Sequence, residues 1–207
     1  YFDLEKYPGA RGLQSGGLGV TINLIIALLA DGVAADDLYP LDLDRAFAKL
    51  DTIKGSVALW DAAPKAVQDV EAGNMAMTFV YSPAALLAIE KGQNVSVKAF
   101  DGAPVARGMA TIMEDGPNGP AAGQAFLDYW SRPSVQAKYA LLTSYGIVLA
   151  SPAVYDLIDA ENLKTAPFVP GQPQGKILNY EYFAEIGDGG VSNLETIIAR
   201  WQEWRAS

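Results

Sequence analysis

Gln14-Ser15-Gly16-Gly17 stands just ahead of an apolar run that reads as a helix from Val20 to Asp31. A glycine-rich turn at a helix start offers free backbone N–H groups and the positive end of the helix dipole. That chemistry suits a carboxylate, a phosphonate or a similar anion. A turn that binds nothing is the alternative. No Gly-Lys-Ser/Thr follows, and the full dinucleotide fingerprint is missing. Arg107 can clamp an anion with two parallel N–H bonds, or it can be a solvated charge at a strand end. Trp60 and Asp61 close one expected strand, and strand C-termini of open α/β sheets face the ligand crevice. Asp61 can hold an amine or cap the next helix. Phe79 and Tyr81 close another strand, where aromatic faces either line a ligand or join the core. Tyr182 is a further candidate.

Composition narrows the chemistry. The 207 residues include no histidine and no cysteine. Disulfides, thiolate metal sites and Ser–His or Cys–His nucleophiles are thereby excluded. No paired carboxylates replace them, and no calcium-loop spacing occurs, so neither catalysis nor a metal or cofactor is expected. The formal charge is −9, from 24 acids against 15 bases with no basic cluster. Nucleic acid and anionic membranes are poor partners for such a surface. No secretory leader is visible at Tyr1, as in a mature or trimmed chain. Val20–Ala30 is about half the ~20 residues a membrane span requires.

Several elements must position these residues. Gly32 stops the first helix. Asp42 and Asp44 open a second, with Leu43, Phe47 and Leu50 on one face and Lys54-Gly55 at its end. Ser56–Trp60 reads as a strand, and a helix from Pro64 to Gly73 follows. Ala76–Tyr81 reads as a buried strand containing Met77, and Met75 just before it is also expected in the core. Ser82-Pro83 starts a helix that Gly92 stops. Val95–Phe100 and Arg107–Met113 read as strands, with Asp101–Pro104 a break between them. Helices are expected at Ala121–Trp130, Pro133–Thr143 and Pro152–Asp159. A last helix begins at Ser192 with a Ser192/Glu195 capping box and docks through Trp201 and Trp204. The alternation of strand and helix predicts an α/β fold with a mainly parallel sheet.

LYPLDLDRAFAKLDTIK, the Trp60-Asp61 strand end, VEAGNMAM, AAGQAFLDYWSRPSVQAKYA with SYG, and NYEYFAEI…ARWQEW together resemble extracellular solute-binding proteins of ABC transporters, of the polyamine type. The resemblance implies a two-lobed periplasmic-binding-protein-like fold with flanking helices and a ligand in the interlobe cleft. Residues 1–102 would form the second lobe, and 103–155 a crossing segment with the returning part of the first. Residues 156–207 would be C-terminal helices packing back on the lobes. The first lobe is incomplete on this alignment, so a missing segment or a second chain would complete it. Phe79 and Tyr81 fall where the family carries a cleft aromatic, and Tyr145 falls on its tyrosine-containing turn. Family members that hold polyamines use acids at positions matching Gly19, Ile22 and Gly108, and none is acidic here. An unpaired buried polycation is costly, so an anionic or zwitterionic solute is expected. The partners would be that solute and a membrane permease, in the periplasm or outside the cell. A polyamine carrier and a ligand-sensing domain of a regulator are the alternatives.

Overall fold

The computed structural model of the chain describes residues 1–142, 151–163, 174–187 and 189–207. Its main sheet has three short parallel strands. β1 (Arg11–Gln14) lies between β2 (Val57–Trp60) and β3 (Met77–Thr78). Gln14 sits opposite Trp60, and Gly12 lies between Ala58 and Thr78. Parallel neighbours need crossovers. Those between these strands are α1 (Leu18–Ala30) with α2 (Leu43–Asp51), and then α3 (Ala63–Glu71). β3 leads into α4 (Ser82–Glu90).

The helix boundaries follow local chemistry. Gly32, Gly73 and Gly92 end α1, α3 and α4 with φ of 89°, 77° and 79°, a region where only glycine avoids strain. Pro64 and Pro83 fall in first turns, where no intrahelical N–H bond is lost. The Asp42 carboxylate accepts the Arg45 N–H at 3.0 Å and caps α2. Apart from Leu18, Ile22 and Leu29, α1 is buried from Gly19 to Leu28, as befits a helix enclosed between a sheet and other helices. Leu13, Leu24, Leu28, Leu50, Ile197 and Trp201 form the centre of the main core. Trp60, Ala66 and Met75 form a smaller cluster. Met77 is half-buried.

Pro8-Gly9 makes residues 1–13 read in sequence as a turn-rich entry, yet β1 is the central strand. Its sequence hides this, because Arg11 and Gly12 break the apolar pattern. Arg11 is fully buried. Its guanidinium donates to the carbonyls of Tyr1 (2.5 Å), Gly9 (2.7 Å), Asp3 (3.3 Å) and Tyr7. Gly12 is required by packing: a Cβ there would lie 2.5 Å from the Thr78 hydroxyl and 2.7 Å from the Met75 sulfur.

Beyond α4 the chain is less regular. Val95–Phe100 and Arg107–Met113 were expected as strands and form none. Alternation supplies strand propensity, but a strand exists only where a ladder partner does. Ala76–Tyr81 pairs at Met77 and Thr78 alone. The second sheet joins β4 (Pro104–Val105) in parallel to β5 (Lys176–Ile177). α5 (Gly119–Trp130), α6 (Pro133–Leu142) and a 3-10 segment at Pro152–Leu157 lie close to expectation. α7 (Tyr180–Ala184) was not anticipated. α8 (Asn193–Ala206) begins with the expected capping box, and Trp201 and Trp204 are buried. Among the described residues no helix is long and apolar enough to cross a membrane.

Candidate functional site

The carboxyl ends of β1, β2 and β3 lie side by side, and each leads directly into a helix. Gln14 to Gly17, Trp60 with Asp61, and Phe79 with Tyr81 are thereby gathered along one edge of the sheet. In open α/β sheets this edge is where ligands bind.

The Gln14–Gly17 loop is tied down from three sides. Ser15 N donates to the Trp60 carbonyl at 2.8 Å, fastening the loop to β2. From α1, the buried Asn23 amide donates to the Gln14 carbonyl at 2.9 Å and accepts the Gln14 N–H at 3.3 Å. From α8, Trp201 Nε1 and Arg205 Nη1 donate to the Ser15 carbonyl at 3.1 and 3.2 Å. The Gln14 side chain lies across the first turn of α1, where a Cβ on Gly19 would fall 1.9 Å from it. Gly17 takes φ 61° at the helix cap. Gly16 and Gly17 are exposed, with nothing within 4 Å of where their side chains would be.

The helix starts at this edge share a pattern. α1, α3 and α4 begin there without a side-chain cap bond and without an acid in the first turn. Of the helices that begin elsewhere, α2, α7 and α8 are each capped by a side chain (Asp42, Asn179, Ser192) with an acid in the first turn, whereas α5 has neither and α6 has no first-turn acid. Acids near a helix N-terminus offset its partial positive charge. At the sheet edge three such ends carry no first-turn acid, and their N-cap residues make no side-chain cap bond.

Asp61 is exposed, one residue ahead of the α3 cap Ala62. Tyr81 is 43% exposed at the α4 cap. Phe79 is half-buried, its ring 4.5 Å from Tyr1 and 5.9 Å from Phe100. Trp60 is buried among Ala66 and Met75, so its ring belongs to the core beneath the edge. Its indole N–H has no hydrogen-bond acceptor among the described residues.

Arg107 and Tyr182 come from other elements. Gly102 lies against Leu29, and Pro104 is near Ile25, so β4 runs along α1 towards its N-terminal end. Arg107 is exposed two residues beyond β4, with its backbone N–H bonded to the Tyr180 hydroxyl at 2.7 Å. Tyr182 lies instead beside the loop that follows α1. Its hydroxyl accepts the Leu41 N–H at 3.3 Å, and its ring packs 5.1 Å from Tyr39. Burial pushes the Tyr182 phenol up, as it does the Tyr39 phenol. Tyr145 lies outside the described residues. Among the described residues no cluster of three acids, histidines or cysteines could hold a metal.

Asn23, Trp201 and Arg205 support the loop and were not singled out from sequence as its supports. Asn23 did leave a signal, as the one amide side chain within the apolar Val20–Ala30 run.

The family model of bacterial extracellular solute-binding proteins matches residues 1–169. The gamma-aminobutyric acid-binding protein of Pseudomonas aeruginosa is 27% identical over 212 residues, covering 100% of this chain and 56% of that protein. A substrate-binding protein of an ABC transporter from Bradyrhizobium japonicum USDA 110 superposes with TM-score 0.73 at 23% identity, over 98% of this chain and 60% of its own. A binding protein of Agrobacterium tumefaciens R10, solved with agropinic acid, gives TM-score 0.74 at 24% identity, over 96% and 59%. These neighbours share a periplasmic-binding-protein-like fold with a parallel sheet and flanking helices. The chain spans a little over half the length of the curated relative it matches.

Proposed function

The chain belongs to the family of bacterial extracellular solute-binding proteins, a family of carriers and not of enzymes, and from that premise we propose that it is the substrate-binding component of an ABC importer. Its ligand is a small anionic or zwitterionic organic solute, held at the carboxyl edge of the three-stranded sheet. The observation that carries this reading is the convergence of three helix starts without cap bond or first-turn acid, those of α1, α3 and α4, on one sheet edge beside the exposed Gly16 and Gly17.

A carboxylate would take the exposed amides around Gly16–Gly17, with Arg107 approaching along α1. An ammonium group would meet Asp61 and the Tyr81 ring. The relatives named for gamma-aminobutyric acid and solved with agropinic acid both handle carboxylic acids. A polyamine fits poorly, because Gly19, Ile22 and Gly108 offer no charge where polyamine carriers hold acids. In this reading residues 1–102 form one lobe, 103–155 cross to the other, and 156–207 pack back. Closure of the lobes on the solute shifts an open–closed equilibrium, and the closed form docks on a membrane permease outside the cytoplasm.

The test is a melting-temperature screen against ω-amino acids, small carboxylic acids and polyamines. A ligand at 100 times its Kd adds about 2.7 kcal/mol of stability. The expected result is a shift with an ω-amino acid or carboxylic acid that falls by roughly 10-fold in affinity in Arg107→Ala. A shift with polyamines alone would overturn the reading.

A further inference from the structure

A second cleft opens between the loop that follows α1 and the turn joining α7 to α8. Its volume is about 760 Å³, within the range of small-molecule sites. Asn193, on its wall, is the first residue of α8, and Trp201 and Arg205 further along that helix hold the Ser15 carbonyl. At a helical rise of 1.5 Å per residue, the cleft stands roughly 15 Å from the sheet edge. It is a separate place on the molecule.

The walls are fixed. The Tyr39 and Tyr182 rings meet at 5.1 Å with 58° between their planes, and the buried Phe183 ring lies 5.9 Å behind Tyr39. Their hydroxyls accept the Asn179 and Leu41 N–H groups at 3.2 and 3.3 Å. Asn179 accepts the Tyr182 N–H at 3.0 Å, and Asn193 donates to the Tyr182 carbonyl at 2.8 Å, which sets the start of α7. The charged groups of the cleft are Glu181 and Glu185. Both are exposed, and among the described residues neither carboxylate has a hydrogen bond or an ion pair. They stand four residues apart, a spacing at which like charges on a helix repel. The basic side chains of the surrounding elements are engaged elsewhere: Lys176 with Asp36, Arg45 and Lys49 with Asp31, and Arg200 with Asp44. Two uncompensated carboxylates therefore flank two fixed aromatic rings, and a bound cation would relieve their repulsion.

The kind of cation follows from the exposure. An ammonium is strongly hydrated and gains little from an exposed carboxylate. A guanidinium is more weakly hydrated, lies flat on an aromatic face, and pairs with a carboxylate through two N–H bonds. We propose that this cleft is a second ligand site, which takes the guanidinium group of a small organic cation. The plane of that group packs on the tyrosine corner, and its N–H groups pair with Glu181 and Glu185. The inference does not depend on which solute the sheet edge holds.

The test is titration calorimetry of the 207-residue chain at low ionic strength. The probes are agmatine, which carries a guanidinium, and putrescine, which has an ammonium in its place. Agmatine should bind, and putrescine should bind about 10-fold more weakly. Exchanging both acids, Glu181→Gln with Glu185→Gln, should weaken agmatine by about 10-fold. Asp61→Asn, at the sheet edge, should leave agmatine unchanged. Absence of agmatine binding, putrescine as tight as agmatine, or undiminished binding in the double variant would each overturn the proposal. So would loss of binding in Asp61→Asn, which would put the cation at the sheet edge. If the double variant does not fold, Glu181→Lys, which sets an ammonium of the chain itself in the cleft, replaces it. Binding abolished there supports the proposal, and binding retained overturns it.

Discussion

The region around β1 and the region from Arg107 to Leu142 treat apolar residues in opposite ways. Around β1, α1, α2 and α8 close on one another, and Leu13, Leu24, Leu50, Ile197 and Trp201 are almost wholly out of solvent. In the later region, of residues 107–142, only Gln136 and Ala140 are buried, and aromatic rings meet near the surface, Phe126 stacked on Trp130 at 6.0 Å and Trp130 edge-on to Tyr139 at 4.6 Å. The lesson concerns where stability resides. Burial of apolar area drives folding, so the first region carries the stability of the described chain. The second contributes surface.

The largest expected effect tests that division directly. Trp201→Ala removes a fully buried ring and its bond to the Ser15 carbonyl, and should cost about 3–5 kcal/mol in urea unfolding. Phe126→Ala, an equally drastic truncation, should stay within about 0.5 kcal/mol of the parent, because that ring is 59% exposed. Equal losses would abolish the distinction between the regions. A smaller effect is expected at Arg11. Arg11→Met keeps the bulk but leaves the carbonyls of Tyr1, Asp3, Tyr7 and Gly9 without their donor, at a cost of about 2–3 kcal/mol. Amide exchange over residues 1–9 should rise in parallel while that in α5 stays unchanged.

The smallest effect is acid sensitivity. Hydrogen bonding to Arg45 holds the Asp31 carboxyl below its ordinary value, with Lys49 adding to the shift. Lys176 does the same for Asp36, Lys65 for Asp69 and the Ser192 hydroxyl for Glu195. Folded-state values below unfolded ones mean that the unfolded chain binds protons first as pH falls. The contribution is complete above the ordinary carboxylate range and is lost as pH drops below about 4. Asp31, Asp36 and Glu195 are exposed and Asp69 is partly buried, so the fall in melting temperature should be shallow and should shrink in high salt. A steep, salt-independent fall would place a buried carboxylate somewhere in the body.

Much of the body was legible in the sequence because its punctuation is local. Gly32, Gly73 and Gly92, the prolines of α3 and α4, and the Ser192/Glu195 box act within one turn of where they stand. β1 was not legible, because the bonds that make Arg11 acceptable inside a sheet come from residues two to ten positions earlier. Val95–Phe100 and Arg107–Met113 erred in the other direction. Their alternation is real, but no neighbouring strand meets them among the described residues. At the candidate site, the glycine loop, Asp61 and Tyr81 could be singled out because turn residues and strand ends are visible in sequence. That they share one edge depends on the order β2-β1-β3, which spacing alone does not encode.

The Ser15 carbonyl gives the proposed binding edge a handle in α8, nearly two hundred residues along the sequence. Two donors of the last helix, the indole of Trp201 and the guanidinium of Arg205, grip the peptide unit directly ahead of Gly16. Ser207, two residues after Arg205, is within tagging reach of that grip, and its hydroxyl is already engaged with Lys54 and the Trp204 carbonyl. On the proposed function, a fluorophore attached there would report solute capture optically and leave the loop itself chemically untouched.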